Sequence, residues 1–69
     1  MFNFRKVELT LGEKLKKARE KSGYTQENLA RFLDVTTQTI YKIEKGKTNP
    51  SFELVKKIAK ALNISLDNL

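Results

Sequence analysis

Cysteine and histidine are both absent from the 69 residues. Without cysteine there is no disulfide framework and no thiol nucleophile. The usual Cys/His zinc sites are excluded, and so is the commonest general base. There is no Gly-rich phosphate loop, and no two carboxylates stand at a spacing suited to paired acid–base work. Glu13, Glu20 and Glu27 are expected on exposed positions, where nothing tunes their acidity. A chain of this length supports one small core and leaves no room for a deep substrate cleft. These absences predict a protein that is not an enzyme and holds no cofactor and no metal. Long apolar runs are lacking too. Nothing can span a bilayer and no signal-peptide pattern precedes the domain, so a cytoplasmic protein with no membrane partner is expected.

Positive charge is in excess. Lys and Arg number 14 against 8 Asp and Glu, a net charge of +6. A balance of this sign suits a polyanionic partner, most simply nucleic acid. Lysine is also a common solubilising residue, so charge alone does not decide the matter.

The pattern sharpens in residues 25–46, TQENLARFLDVTTQTIYKIEKG. Thr25 can cap a helix whose apolar positions Leu29, Ala30 and Leu33 fall on one face. Phe32 lies off that stripe and is expected to fill the core edge. Asp34 and Val35 break the period. Thr36 can cap a second helix with Ile40 and Ile43 facing inward, and Gly46 is a natural stop. Two helices of roughly two turns each, joined by a tight turn, make a helix-turn-helix unit.

This stretch resembles the phage repressor and Cro-like helix-turn-helix family, often called the XRE family. The residues carrying the likeness are Gln26 opening the first helix, Ala30 where the helices touch, Ile40 and Ile43 on the second helix, then Glu44 and Gly46. Asn49-Pro50-Ser51 and the run from Ile58 to Leu62 also fit. The likeness spans residues 11–69. It implies an all-α fold: a compact, lambda-repressor-like bundle of four to five short helices, occupying residues 10–69 behind an arm or short strand at 1–9. One departure stands out. The family usually has Gly in the turn where this chain has Asp34, a position expected to need left-handed backbone. Asp enters that region more readily than most residues and less easily than Gly.

The resemblance also implies a double-stranded DNA partner, binding as a homodimer, and a role in transcription, most simply as a repressor on a palindromic site. With Ile40 and Ile43 inward, Thr37, Gln38, Tyr41 and Lys42 are left on or near the outer face of the second helix. Gln can bond adenine bidentately, a Thr methyl can meet the thymine methyl, and Lys can donate to guanine. Base-contacting positions of the family fall on Thr37, Gln38 and Lys42, with Tyr41 ambiguous. Thr36 and Thr39 fall on backbone-contacting or edge positions. Gln26 is expected to anchor a phosphate at a helix N-terminus, where free N–H groups and the helix dipole favour an anion. Lys47 and Asn49, in the loop after the second helix, are expected as further phosphate contacts. An antitoxin or adaptor of the same fold, with a protein partner and secondary DNA binding, is the alternative.

The flanks complete the reading. Phe2 and Phe4, then Val7 and Leu9, alternate with polar residues. An arm packed on the domain, a strand pairing with its copy in a dimer and a basic arm reaching DNA through Arg5 and Lys6 all fit. Thr10 and Glu13 have the capping-box spacing, so a helix should run to about Ser22 and end at Gly23. Its expected inward stripe is Leu11, Leu15, Ala18 and Ser22, with Lys14, Lys16, Lys17 and Lys21 largely outward. That stripe is narrow and needed for the core, which argues against a membrane-surface role. The resemblance implies that Arg19, at the stripe's edge, forms a partly buried ion pair with Glu44. Ser51 can cap a last full helix to Leu62, with Phe52, Val55, Ile58, Ala59 and Leu62 inward and Leu54 alongside. A truncated helix from Ser65 follows. The family uses this region for dimer contacts, which makes Ile64, Leu66 and Leu69 dimer candidates; closing the core is the competing role.

Overall fold

The computed structural model describes residues 9–68. Residues 1–8, which include nearly all of the expected arm or strand, and the dimer candidate Leu69 lie outside the described residues. Four α-helices follow in order: α1 (Leu11–Lys21), α2 (Gln26–Leu33), α3 (Thr37–Glu44) and α4 (Phe52–Leu62), then a 3-10 turn at Leu66–Asn68. The described part is all-α.

Each helix starts on a hydroxyl. Thr10, Thr25, Thr36 and Ser51 accept the backbone N–H of Glu13, Asn28, Thr39 and Leu54, at 3.1, 2.9, 3.1 and 3.1 Å. At α1 the reciprocal bond is present as well, Thr10 N–H donating to Glu13 Oε1 at 2.9 Å. Removing one such cap typically costs about 1 kcal/mol.

All four helices also end alike. Gly23, Asp34, Gly46 and Asn63 take positive φ. The N–H of the next residue then donates back to a carbonyl five positions earlier: Tyr24 to Arg19, Val35 to Ala30, Lys47 to Lys42 and Ile64 to Ala59. This left-handed cap normally sets an apolar residue just past the helix against the helix it closes. Tyr24, Val35 and Ile64 follow that rule and pack on the core. The fourth is Lys47, which is exposed. Asp34, at φ 60° and ψ 44°, adopts the left-handed backbone expected of the turn.

The core is Leu15 from α1, Leu29, Ala30 and Leu33 from α2, Ile40 and Ile43 from α3, and Ile58, Ala59 and Leu62 from α4. The periodicity located all of these. Of the expected inward positions, Ala18 and Val55 are half-buried and three are exposed. α1 is turned by about one residue: Gly12, Leu15 and Arg19 face in, while Leu11 and Ser22 are exposed. Backbone contact with α3 sets this rotation. A Cβ on Gly12 would lie 2.4 Å from the Ile43 carbonyl oxygen and 2.8 Å from that of Glu44. Phe52 is 67% exposed. Cα–Cβ bonds tilt toward the helix N-terminus, so a first-turn side chain leans past the helix start and beyond the core. The Lys56 Nζ sits 5.2 Å from its ring centroid. Phe32, expected at the core edge, is 65% exposed, with its ring 6.2 Å from that of Tyr24 between centroids. No described helix is long and apolar enough to cross a membrane.

Candidate nucleic-acid interface

The site is built on the α2–α3 pair. Asp34 turns the chain sharply, Val35 tucks onto the core, and Thr36 caps the helix that follows. Ile40, Ile43 and Glu44 anchor α3 from within. With its inner face held, α3 leaves Thr37, Gln38, Tyr41 and Lys42 exposed. These positions are spaced i, i+1, i+4 and i+5, which makes them one contiguous helical face. Lys45 extends it, its Nζ 5.9 Å from the Tyr41 ring centroid. Thr36 and Thr39 stand at its edge, and their hydroxyls lie 2.9 Å apart. Since the Thr36 oxygen also caps α3, it has one lone pair fewer for an outside partner.

The carboxylate on α3 is kept away from this face. Glu44 is 8% exposed and Arg19 7%. Arg19 Nε donates to Glu44 Oε2 at 2.6 Å and Nη2 to Oε1 at 3.1 Å, a bidentate pair. Arg19 Nη1 donates to the Tyr24 carbonyl at 2.9 Å, so the guanidinium also closes the α1–α2 turn. Gln26 Nε2 donates to Glu44 Oε1 at 2.9 Å. Glu44 thus ties α1, the start of α2 and the end of α3 together. No buried side-chain polar atom among the described residues lacks a partner.

Gln26 opens α2 inside a cleft of about 310 Å³ whose wall carries Lys16 and Lys45 and also the carboxylates of Glu13 and Glu44, the latter neutralised by Arg19. One amide hydrogen of Gln26 is used on Glu44. The second, together with first-turn N–H groups that have no intrahelical partner, suits an anion. Lys47 and Asn49 are exposed in the loop that leaves α3. Gln26, Lys45 and Lys47 therefore flank the exposed face of α3 with donors and positive charge. The dimer candidates separate: Ile64 docks on its own core, whereas Leu66 is 41% exposed.

Three features escaped the reading of residues alone. Gly12 carries the α1–α3 contact; its signal was a glycine in a helix interior, which costs about 1 kcal/mol against alanine unless something requires it. The bond from Gln26 to Glu44 and the Tyr24 carbonyl as a third partner of Arg19 had no sequence signal, because both depend on how the helices cross.

The Helix-turn-helix family model matches residues 15–69. The chain belongs to the XRE family of helix-turn-helix proteins. Three relatives place it further. An HTH-type transcriptional regulator of Methanocaldococcus jannaschii is 46% identical over 56 residues, covering 81% of this chain and 85% of the relative. The SPbeta prophage-derived HTH-type transcriptional regulator YonR of Bacillus subtilis is 41% identical over 58 residues, 84% of this chain and 54% of its own. The Bacillus subtilis HTH-type transcriptional regulator ImmR is 33% identical over 61 residues, 88% of this chain and 48% of its own. This XRE-family chain therefore spans about half the length of YonR and ImmR and most of the archaeal relative.

Proposed function

We propose that this protein is a DNA-binding transcriptional regulator, acting as a repressor that binds a palindromic operator as a homodimer. The observation that carries the reading is the division of α3. One face is locked into the core by Ile40, Ile43 and the Glu44 network, and the other is free and presents Thr37, Gln38, Tyr41 and Lys42. A helix held this way can enter the major groove without losing its own packing. Gln38, Thr37 and Lys42 are assigned to base edges, with Tyr41 beside them. Gln26, Lys47 and Asn49 are assigned to phosphates, and Thr36 and Thr39 to the groove edge.

Lys47 gains support from its place in the fold. At three helix ends the residue after the left-handed cap is apolar and packs inward; only at the end of α3 is it a lysine turned to solvent. A position that normally earns its contact from the core is here given to charge. In the dimer, Leu66 supplies the exposed apolar contact and Ile64 supports it from the core side. Two copies would set their α3 helices in successive major grooves about 34 Å apart. The relatives named as HTH-type transcriptional regulators support the regulator part of this reading. An antitoxin or adaptor in which DNA binding is lost fits less well, because the free face of α3 is polar and cationic rather than apolar.

Selection from a randomised duplex pool at moderate salt tests the proposal. Enrichment of inverted half-sites one helical turn apart is the expected outcome. Salt-sensitive retention with no enriched sequence would remove α3 from the role of reading helix.

A further inference from the structure

A second surface lies away from the free face of α3. Phe32 and Leu33, at the C-terminal end of α2, and Lys57, Lys60 and Ala61, on α4, line an open groove of about 510 Å³. Phe32 is 65% exposed although it is a large aromatic residue on a helix that buries Leu29, Ala30 and Leu33. Its only ring neighbour among the described residues is Tyr24, which stands at a tilt of 50° and backs it from the core side. Lys57, Lys60 and Ala61 follow at i, i+3 and i+4, so they share one face of α4. Both lysines are exposed, and neither has an ion-pair partner among the described residues. No acidic side chain among the described residues lines the groove.

We infer that this groove docks an acidic segment of a protein partner, with an apolar side chain of the partner set against Phe32, Leu33 and Ala61 and its carboxylates on Lys57 and Lys60. Charge and chemistry select this occupant. A second copy seated here about a twofold axis would bring four lysines together around one small apolar floor, and like charges in an interface are strongly disfavoured. Duplex DNA would use the lysines but not the exposed ring and the apolar floor between them. The groove also lies at the far end of α2 from Gln26, about 9 Å along the helix at 1.5 Å per residue. A segment bound there leaves the proposed phosphate anchor uncovered, so the partner and DNA bind together. An exposed aromatic with a rigid backing ring is the kind of anchor on which interfaces concentrate their energy.

The test uses the full chain and a displayed library of short randomised peptides, selected on the wild-type protein and counter-selected on Phe32→Ala. Because most of the Phe32 side chain is in solvent, this variant is expected to fold, and its thermal melt checks that. Enriched peptides are then measured by fluorescence anisotropy against wild type, Phe32→Ala and a Lys57→Glu/Lys60→Glu double variant. The expected result is acidic peptides carrying a Leu, Phe or Trp, bound at least about tenfold more weakly by both variants, equivalent to about 1.4 kcal/mol. Their affinity should not change when the protein is saturated with duplex. Failure to enrich any peptide over the counter-selection overturns the inference, as does enrichment of peptides without acidic residues. Displacement by duplex would assign the groove to the DNA face. Loss of self-association in Phe32→Ala by sedimentation would assign it to a second copy. The peptide arm is read without DNA, so failure of the duplex selection leaves it independent.

Discussion

Replacing Glu44 by leucine should destabilise the protein more than replacing Glu44 and Arg19 together. Both groups are almost fully buried and they neutralise each other through two bonds, at 2.6 and 3.1 Å. In Glu44→Leu the guanidinium keeps its bond to the Tyr24 carbonyl, and its nearest counterion is the exposed Glu20 carboxylate at 4.0 Å, which makes no hydrogen bond to it. Breaking a buried pair in this way costs about 3–5 kcal/mol. A 69-residue domain at the usual stability per residue has about 3–10 kcal/mol in total, so the single variant should be largely unfolded or close to it. Arg19→Met leaves Glu44 with its bond from the Gln26 amide and without its buried cation, and should fall in the same range. The double variant Arg19→Met/Glu44→Leu removes both desolvation penalties and fills the space with apolar groups, which often leaves stability within about 1–2 kcal/mol of the parent. The assay is urea unfolding followed by far-UV circular dichroism, with the four proteins fitted as a cycle. A coupling energy of about 2 kcal/mol or more is expected. It should persist at 1 M salt, where the screening length is about 3 Å but the pair excludes solvent. The exposed Glu53–Lys56 pair, at 3.9 Å, is the control and should couple by no more than about 0.5 kcal/mol. Additivity of the Arg19 and Glu44 variants would refute the idea that this pair acts as one buried unit.

Other outcomes follow from single contacts. Gly12→Ala should cost about 1–3 kcal/mol in urea unfolding, because its Cβ meets backbone oxygens of α3 that cannot swing aside as a side chain would. A neutral or stabilising result would mean that α1 and α3 do not meet there. Asp34→Gly should instead stabilise, by up to about 1 kcal/mol, since the residue sits at φ 60° where glycine carries no Cβ penalty; strong destabilisation would contradict the turn geometry. Lys47→Ala should weaken binding to all duplexes alike and reduce the slope of log K against log salt by about one, read by anisotropy titrations across a salt series. Gln38→Ala should cost about 1–3 kcal/mol on the selected operator and relax preference at one base pair per half-site, leaving the salt slope unchanged.

Most of the fold is legible along the chain because it is written in short-range chemistry. Each N-terminal cap joins residues three apart, and each C-terminal cap spans five positions. A hydroxyl followed by an apolar period, or a Gly, Asp or Asn closing one, therefore announces a helix without any tertiary contact. The same locality makes the outer face of α3 readable: once Ile40 and Ile43 are placed inward, the helical period alone puts Thr37, Gln38, Tyr41 and Lys42 outside. Likeness to the XRE family adds the Arg19–Glu44 pairing, which no local pattern contains.

Other features depended on the way the helices meet. Arg19 and Glu44 are 25 residues apart, and Gln26 and Glu44 are 18 apart, so whether and how they touch depends on crossing geometry. α1 turned by one residue from its apolar stripe because a backbone-to-backbone contact at Gly12 and a buried ion pair at Arg19 outweigh the burial of Leu11. Phe32 and Phe52 stayed outside because a periodic pattern says which side of a helix is apolar but not how far the neighbouring helices reach. Local bonding chose the helices and their ends; packing in three dimensions chose their rotation, the partners of Glu44, and which aromatic rings remained free to meet another molecule.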